Sequence, residues 1–399
     1  MKCAIVLYEG AADFALENLQ GRTPLEAARC PNAAHLAALG QTGLLAPVGS
    51  GFEARTEVRI AAFLGLPPKT ATALERAPLE AAGLGVDTAG YDLVCRANFL
   101  TADGPNLVAT RPGPARPEEI DALLQALQAN WPEAAVKFVP LGDWSVLVLV
   151  KTLQTVQHRP AQAEPPFLLE IGCRLDEFMP ADEAGAPLNE IMARSREILG
   201  RHEVNAVRVD LGEDPANMLW LWGAGRPQSR LTEPVRLRGC IISQSPLARG
   251  LAQLCGMPAL GLHEPWRDGP VAFKVADAVA AAREHDLLFV YAPAPRDLAG
   301  YGSAGEKVRA LEALDHRVLG PFIEVLEAER PFRIALASDG AIATETGQPA
   351  AGDCPVAIAG EAVEPDTTTR WDEKAVLDGT LGTVSPGDVW ARLTGLRAP

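Results

Sequence analysis

Basic charge is in short supply in this 399-residue chain: lysine and arginine number 36 against 51 aspartates and glutamates, for a formal net charge of -15. A nucleic-acid backbone or an anionic membrane surface needs a clustered basic face, and no basic run occurs, so neither is expected as a partner. A phosphorylated metabolite stays compatible, because a local pocket of Arg, Lys or metal holds phosphate within an acidic protein. Long apolar runs are also missing. The opening "MKCAIVLYEGAAD" has only a short apolar stretch that ends in acids, so no membrane span is expected and the protein reads as cytoplasmic. The seven cysteines, at 3, 30, 95, 173, 240, 255 and 354, contain no CxxC pair and are odd in number. That argues against a disulfide framework and against a zinc knuckle, and leaves most of them as small buried residues.

What is present is apolar: 48% of the residues are hydrophobic, enough for one large or two domains. Short apolar runs read as buried strands at "CAIVLY" (3–8), "DLVCRA" (92–97), "NMLWLW" (217–222), "GCIIS" (239–243), "DLLFVY" (286–291), "FRIALA" (332–337) and "PVAIAG" (355–360). They lack strict alternation and several are separated by helix-period segments, which predicts an α/β fold with a mainly parallel sheet covered on both faces. Leu247, Leu251 and Leu254 share a helix face. Val308, Leu311, Leu314, Val318, Phe322 and Val325 form a second stripe, with a kink or break expected at Gly320 and Pro321. Residues 113–185 differ in grammar. Pro117 stands at a first helical position, Ile120, Leu123, Leu124, Leu127 and Trp131 form a helical face, and "VKFVPL" and "WSVLVLVKTL" flank a Gly-Asp turn like two antiparallel strands. The expected organisation is a core of 1–112 and 186–399 with a small α+β domain, 113–185, inserted in it.

Three aspartates follow core strands: Asp13, Asp297 and Asp339. Ligands of open α/β sheets bind beyond the carboxyl ends of the strands, so the three are candidates to converge on one cation. Alternatively each caps the turn or helix after it. Thr56 begins a helix-like segment as a metal-activated nucleophile or as an N-cap. Arg96 and Asn98 end a strand on one side of the chain, suited to a phosphate or to a salt bridge. Trp220 and Trp222 are read as packing residues.

The order of "GRTPLEAARCPNAAHLAALGQTGLL" (21–45), "CRANF" (95–99), "PANMLWLWGAG" (215–225), "GEKVRALEALDHRVLGP" (305–321) and "DEKAVLDGTLG" (372–382) resembles the archaeal-type cofactor-independent phosphoglycerate mutases. These are alkaline phosphatase-like metalloenzymes, whose relatives include proteins named as phosphonopyruvate decarboxylases and proposed homoserine kinases. The resemblance implies an alkaline phosphatase-like core with a two-metal site, and a serine that takes the phosphoryl group from one glycerate oxygen and returns it to another. Position by position, it places a metal-binding Asp at Asp13 and the nucleophile at Thr56, followed by Glu57 where the family has Asp. The Asp of its Asp-Glu-Ala-Gly-His motif falls on Asp297, but Tyr301 stands in place of the His. The Asp-His pair becomes Asp339 and Gly340, and near Gly347 and Gln348, where a further His is expected, there is none. The family's Asp-Thr-Asp-Pro-His stretch has no counterpart in "LEIGCRLDEFMPADE".

Of the six histidines, at 35, 158, 202, 263, 285 and 316, His158 is the one candidate replacement. The surviving set, Asp13, Thr56, Asp297 and Asp339, is all oxygen. It would hold one divalent ion such as Mg or Mn, or none, and suits Mg or Ca better than a Mn or Zn pair. Thr56 is the expected catalytic residue, and Arg96 and Asn98 the expected substrate-binding residues for a phosphorylated small molecule. Three functions follow as expectations: a mutase-like phosphoryl-transfer enzyme with altered or impaired chemistry, a non-catalytic binding or regulatory descendant, or a metal-free lyase or isomerase that uses Tyr301 as acid or base.

Overall fold

Five of the predicted apolar runs come together as one eight-stranded sheet in a computed structural model that describes residues 1–46, 55–152, 165–228, 231, 235, 237–261, 275–299 and 302–396. The side chains of residues 275, 276, 297 and 298 lie outside this description. The chain forms two units, Met1–Leu74 with Arg230–Pro399, and Glu75–Ser229.

In the first unit Lys2–Tyr8 is central, parallel to Leu287–Ala292 on one side and to Phe332–Ser338 on the other. The sheet continues through Gly239–Ile242 and Ala259–Leu260, again parallel. Cys354–Gly360 runs antiparallel to both Phe332–Ser338 and Gly40–Leu45, and Gly382–Val384 closes the edge in parallel register. Only the small hairpin of Ala341–Ala343 and Gln348–Ala350 lies between Phe332–Ser338 and Cys354–Gly360, with no helix to carry the chain back for a parallel crossover. Lys2–Tyr8 is buried along almost its whole length, which explains why its sequence is a continuous apolar run. Leu247, Leu251 and Leu254 are buried on the helix Pro246–Cys255, as their spacing predicts. The expected break near Gly320 is a π-helical stretch, Asp315–Leu319, between the helices Ala304–Leu314 and Gly320–Ala328. Pro321 has no N–H to donate to the preceding turn, so the ladder widens before it.

The second unit corrects the expected layout. Leu93–Asp103 and Met218–Gly225, whose apolar runs suggested main-sheet strands, pair antiparallel with each other in a separate sheet. There they are joined by Ser145–Val150, Val136–Gly142 and Asn106–Ala109. The second unit therefore extends past 113–185 at both ends. An apolar run signals burial on both faces, which this sheet also provides, and it does not say which sheet the strand joins. Inside the unit the local reading holds. Pro117 opens the helix Pro117–Gln128, which buries Ile120, Leu123, Leu124 and Leu127. Gly142 and Asp143 both take positive φ, 84° and 53°, at the turn between the two antiparallel strands, as a tight hairpin requires. Among the described residues no helix is long and apolar enough to cross a membrane.

Candidate functional site

The three adjacent parallel strands of the first unit end side by side, and the residues just beyond them form a polar cluster. Glu9 follows Lys2–Tyr8, Arg296 follows Leu287–Ala292, Asp339 follows Phe332–Ser338, and Thr56 is the first residue of the helix Thr56–Phe63. Parallel register puts such residues at one edge of the sheet, the edge where α/β folds bind ligands.

Thr56 is buried and does not cap its helix: Arg55 is the N-cap, and no side-chain cap bond is made there. Its hydroxyl donates to Glu9 Oε1 at 3.3 Å and accepts from Arg296 Nη1 at 3.2 Å and Arg59 Nη2 at 3.4 Å. Glu9 also accepts hydrogen bonds from the Tyr291 hydroxyl and from Arg296. Burial, and then the Glu9 charge, push the Tyr291 phenol well above its ordinary pKa, so it is a hydrogen-bond donor here and not a base. Glu57 is paired instead with Arg55, at 2.9 Å.

Asp339 is buried and accepts from the backbone N–H of Gly10 at 3.0 Å through Oδ1. Its Oδ2 stands 3.6 Å from Arg59 Nε and has no hydrogen-bond donor among the described residues. Burial raises its carboxyl to about pH 6, with Arg59 opposing and Glu9 reinforcing the shift. Asp339 thus ties two strand ends together and does not cap its own turn.

Asp13 sits in a different arrangement. Its Oδ1 accepts from the Phe14 N–H at 2.8 Å, and its Oδ2 from Lys307 Nζ at 2.8 Å and from the Thr344 hydroxyl at 2.5 Å. The Thr344 N–H lies 3.3 Å from both oxygens. Four donors match the roughly four lone-pair sites that an ionised carboxylate offers. The Asp13 N–H donates to Glu373 Oε1 at 3.0 Å, and the Thr23 hydroxyl to Glu373 Oε2 at 2.6 Å. Burial raises Glu373 to about 7.

Of the expected metal set, Asp13 and Asp339 are engaged by different partners, and among the described residues no three His, Cys, Asp or Glu side chains gather as a metal ion would need. The backbone of Asp297 lies in the helix Ala294–Ala299, but its side chain, and all of Tyr301 and His158, lie outside the described residues. Among the described residues the donor set does not fit a pair of divalent ions, since Lys307 stands on Asp13, Arg59 faces Asp339 and Arg296 binds Glu9.

In the second unit Arg96 and Asn98 do lie on one side of Leu93–Asp103. Arg96 pairs with buried Glu80 and donates to Ser145 Oγ at 3.3 Å, which also accepts from Asn98 Nδ2 at 3.0 Å. Asn98 Oδ1 accepts from Trp222 Nε1 at 2.8 Å, and the Arg96 and Arg76 guanidiniums lie 5.5 and 5.6 Å from the Trp222 ring centre. Burial alone would raise the Glu80 carboxyl, but Arg96 and Arg76 hold it below the usual range. Trp220 is fully buried and Trp222 nearly so, in their expected packing role.

Glu9, Arg59, Arg296, Lys307 and Glu373 escape a reading by motif. Lys307 alone leaves a sequence signal: it shares a helix face with Ala304, Leu311 and Leu314, all buried, and a lysine in an apolar stripe needs a buried counter-charge.

A family model described as 2,3-bisphosphoglycerate-independent phosphoglycerate mutase matches residues 37–205. A protein named 2,3-bisphosphoglycerate-independent phosphoglycerate mutase 2, from Methanothermobacter thermautotrophicus, is 32% identical over 96% of this chain and 94% of its own length. A 2,3-bisphosphoglycerate-independent phosphoglycerate mutase of Methanosarcina mazei is 30% identical over 98% of both. Among solved structures, a Pyrococcus horikoshii protein aligns with a TM-score of 0.70 at 22% identity, covering 99% of this chain and 96% of that one. The cofactor-independent phosphoglycerate mutase of Thermoplasma acidophilum aligns with a TM-score of 0.54 at 23% identity, covering 99% and 100%.

Proposed function

Because this chain belongs to the 2,3-bisphosphoglycerate-independent phosphoglycerate mutase family, we propose that it binds a phosphorylated three-carbon acid of the phosphoglycerate class and handles the phosphoryl group by altered chemistry. The observation that carries this reading is the Thr56 hydroxyl, held between the Glu9 carboxylate and the guanidiniums of Arg296 and Arg59. A hydroxyl nucleophile needs a group to receive its proton, and a transferring phosphoryl group needs positive charge around its oxygens. In this reading Glu9 takes the first role, and the two arginines take the second. The Thr56 Oγ–P bond forms as the glycerate O–P bond breaks. The Thr56 proton passes to Glu9 and on to the departing glycerate oxygen. Reversal onto the neighbouring hydroxyl yields the isomer.

Calorimetric titration with 3-phosphoglycerate and a coupled mutase assay, each with and without EDTA, test the proposal. Binding with EDTA-resistant turnover that Thr56→Ala abolishes is expected, and absence of binding overturns it. Binding without turnover identifies the non-catalytic descendant, a reading favoured by the saturated hydrogen bonding of Asp13.

A further inference from the structure

The Lys307 ammonium is fully buried and has three oxygen acceptors, one for each N–H: Asp13 Oδ2 at 2.8 Å, the Ile342 carbonyl at 3.0 Å and the Ala12 carbonyl at 3.1 Å. Those oxygens come from the turn after the first strand and from Ala341–Ala343, which meet at a bridge between Ala12 and Ala341. Thr344 completes the wall by donating to Asp13. The cage has the composition of a hard-cation site, a carboxylate and two carbonyls, but its size is that of an ammonium. Oxygens bind Mg at about 2.0–2.1 Å and Ca at about 2.3–2.6 Å, well inside the distances seen here. A divalent ion on Asp13 would also sit against Lys307, two positive charges on one buried carboxylate with no solvent to separate them.

We infer that Lys307 is the resident cation of the Asp13 site, supplied by the chain itself, so that this site neither binds nor requires a metal ion. The ammonium does what a structural cation would do there. It neutralises Asp13 and ties the two loops at the carboxyl ends of the strands. It does this whether or not Thr56 turns over a substrate, so the inference stands apart from the proposed function.

The test is Mn2+ titration of the full-length protein, followed by the paramagnetic resonance of free Mn2+, with thermal unfolding in EDTA and in Mn2+. In the wild type, Tm is expected to stay within about 1 °C in either condition, with no Mn2+ held by Asp13. Tight Mn2+ binding that Asp13→Asn removes overturns the inference. If Asp13→Asn does not fold, tight binding that Asp13→Ser removes overturns it equally. Lys307→Ala is expected to lower Tm by roughly 10 °C, and added ethylammonium to recover part of that loss. A Lys307→Ala protein as stable as wild type also overturns it. Should Lys307→Ala fail to fold, the wild-type titration decides alone.

Discussion

Asp339 Oδ1 accepts the Gly10 backbone N–H at 3.0 Å, joining positions 329 residues apart at the ends of two neighbouring parallel strands. The register that pairs Tyr8 with Ser338 brings the following residues level with each other, and the turn at Gly10 aims its N–H at the carboxylate.

That turn depends on glycine. Gly10 has φ +65°, and a Cβ there would lie 2.4 Å from Ile342 Cγ1 and 3.1 Å from Arg296 Cβ. Gly10→Ala is expected to destabilise the protein by about 2–4 kcal/mol, through left-handed strain and overpacking together. Urea unfolding followed by circular dichroism measures it, and a loss under about 0.5 kcal/mol would contradict the close packing of this turn.

Stability is expected to fall as pH rises through the acid range. Glu373 has its folded pKa raised to about 7 and Asp339 to about 6, above their ordinary values of 4.5 and 3.8. Each raised carboxyl contributes stability that is fully present below the ordinary value and lost as pH rises through the folded one. For Glu373 the window runs from about 4.5 to about 7, and the contribution is at most roughly 3 kcal/mol. Glu373→Gln, neutral throughout, is expected to flatten this slope in urea midpoints measured across that window. An unchanged slope would assign the effect to other groups.

Thr56 separates chemistry from folding. Thr56→Ala is expected to cost about 1 kcal/mol of stability or less, while abolishing any phosphoryl transfer. Thr56→Ser, which keeps the hydroxyl between Glu9 and Arg296, should retain part of it. Transfer of 32P from labelled phosphoglycerate to the protein provides the readout, and labelling of the alanine variant would remove Thr56 from the mechanism.

In the second unit Glu80 holds two arginines. Glu80→Gln is expected to destabilise by about 2–4 kcal/mol, because the half-buried guanidiniums of Arg96 and Arg76 lose their buried charge partner. A double-mutant cycle with Arg96→Met should then show a coupling of at least about 1 kcal/mol. Additive effects would mean the pair contributes little.

Much of the fold was legible in local pattern. The hairpin at Gly142 and Asp143, the helix opened by Pro117 and the leucines of Pro246–Cys255 follow from φ preferences and periodicity, which act over a few residues. "DLVCRA" and "NMLWLW" were legible as strands but not as members of the second sheet, because strand pairing is a long-range choice. The candidates Asp13, Thr56 and Asp339 were legible by their place after strands or at a helix start, and their partners were not.

The sequence by itself determined the family, the α/β class and the residues that stand at the strand ends, since each rests on order along the chain. Only the tertiary structure decided what those residues do. Lys307 reaches Asp13 from 294 positions away, and Arg296 reaches Glu9 from 287. Charge neutralisation inside a protein depends on distances of a few ångströms in a medium of low polarizability, and no spacing in the sequence records which cation a buried carboxylate will meet.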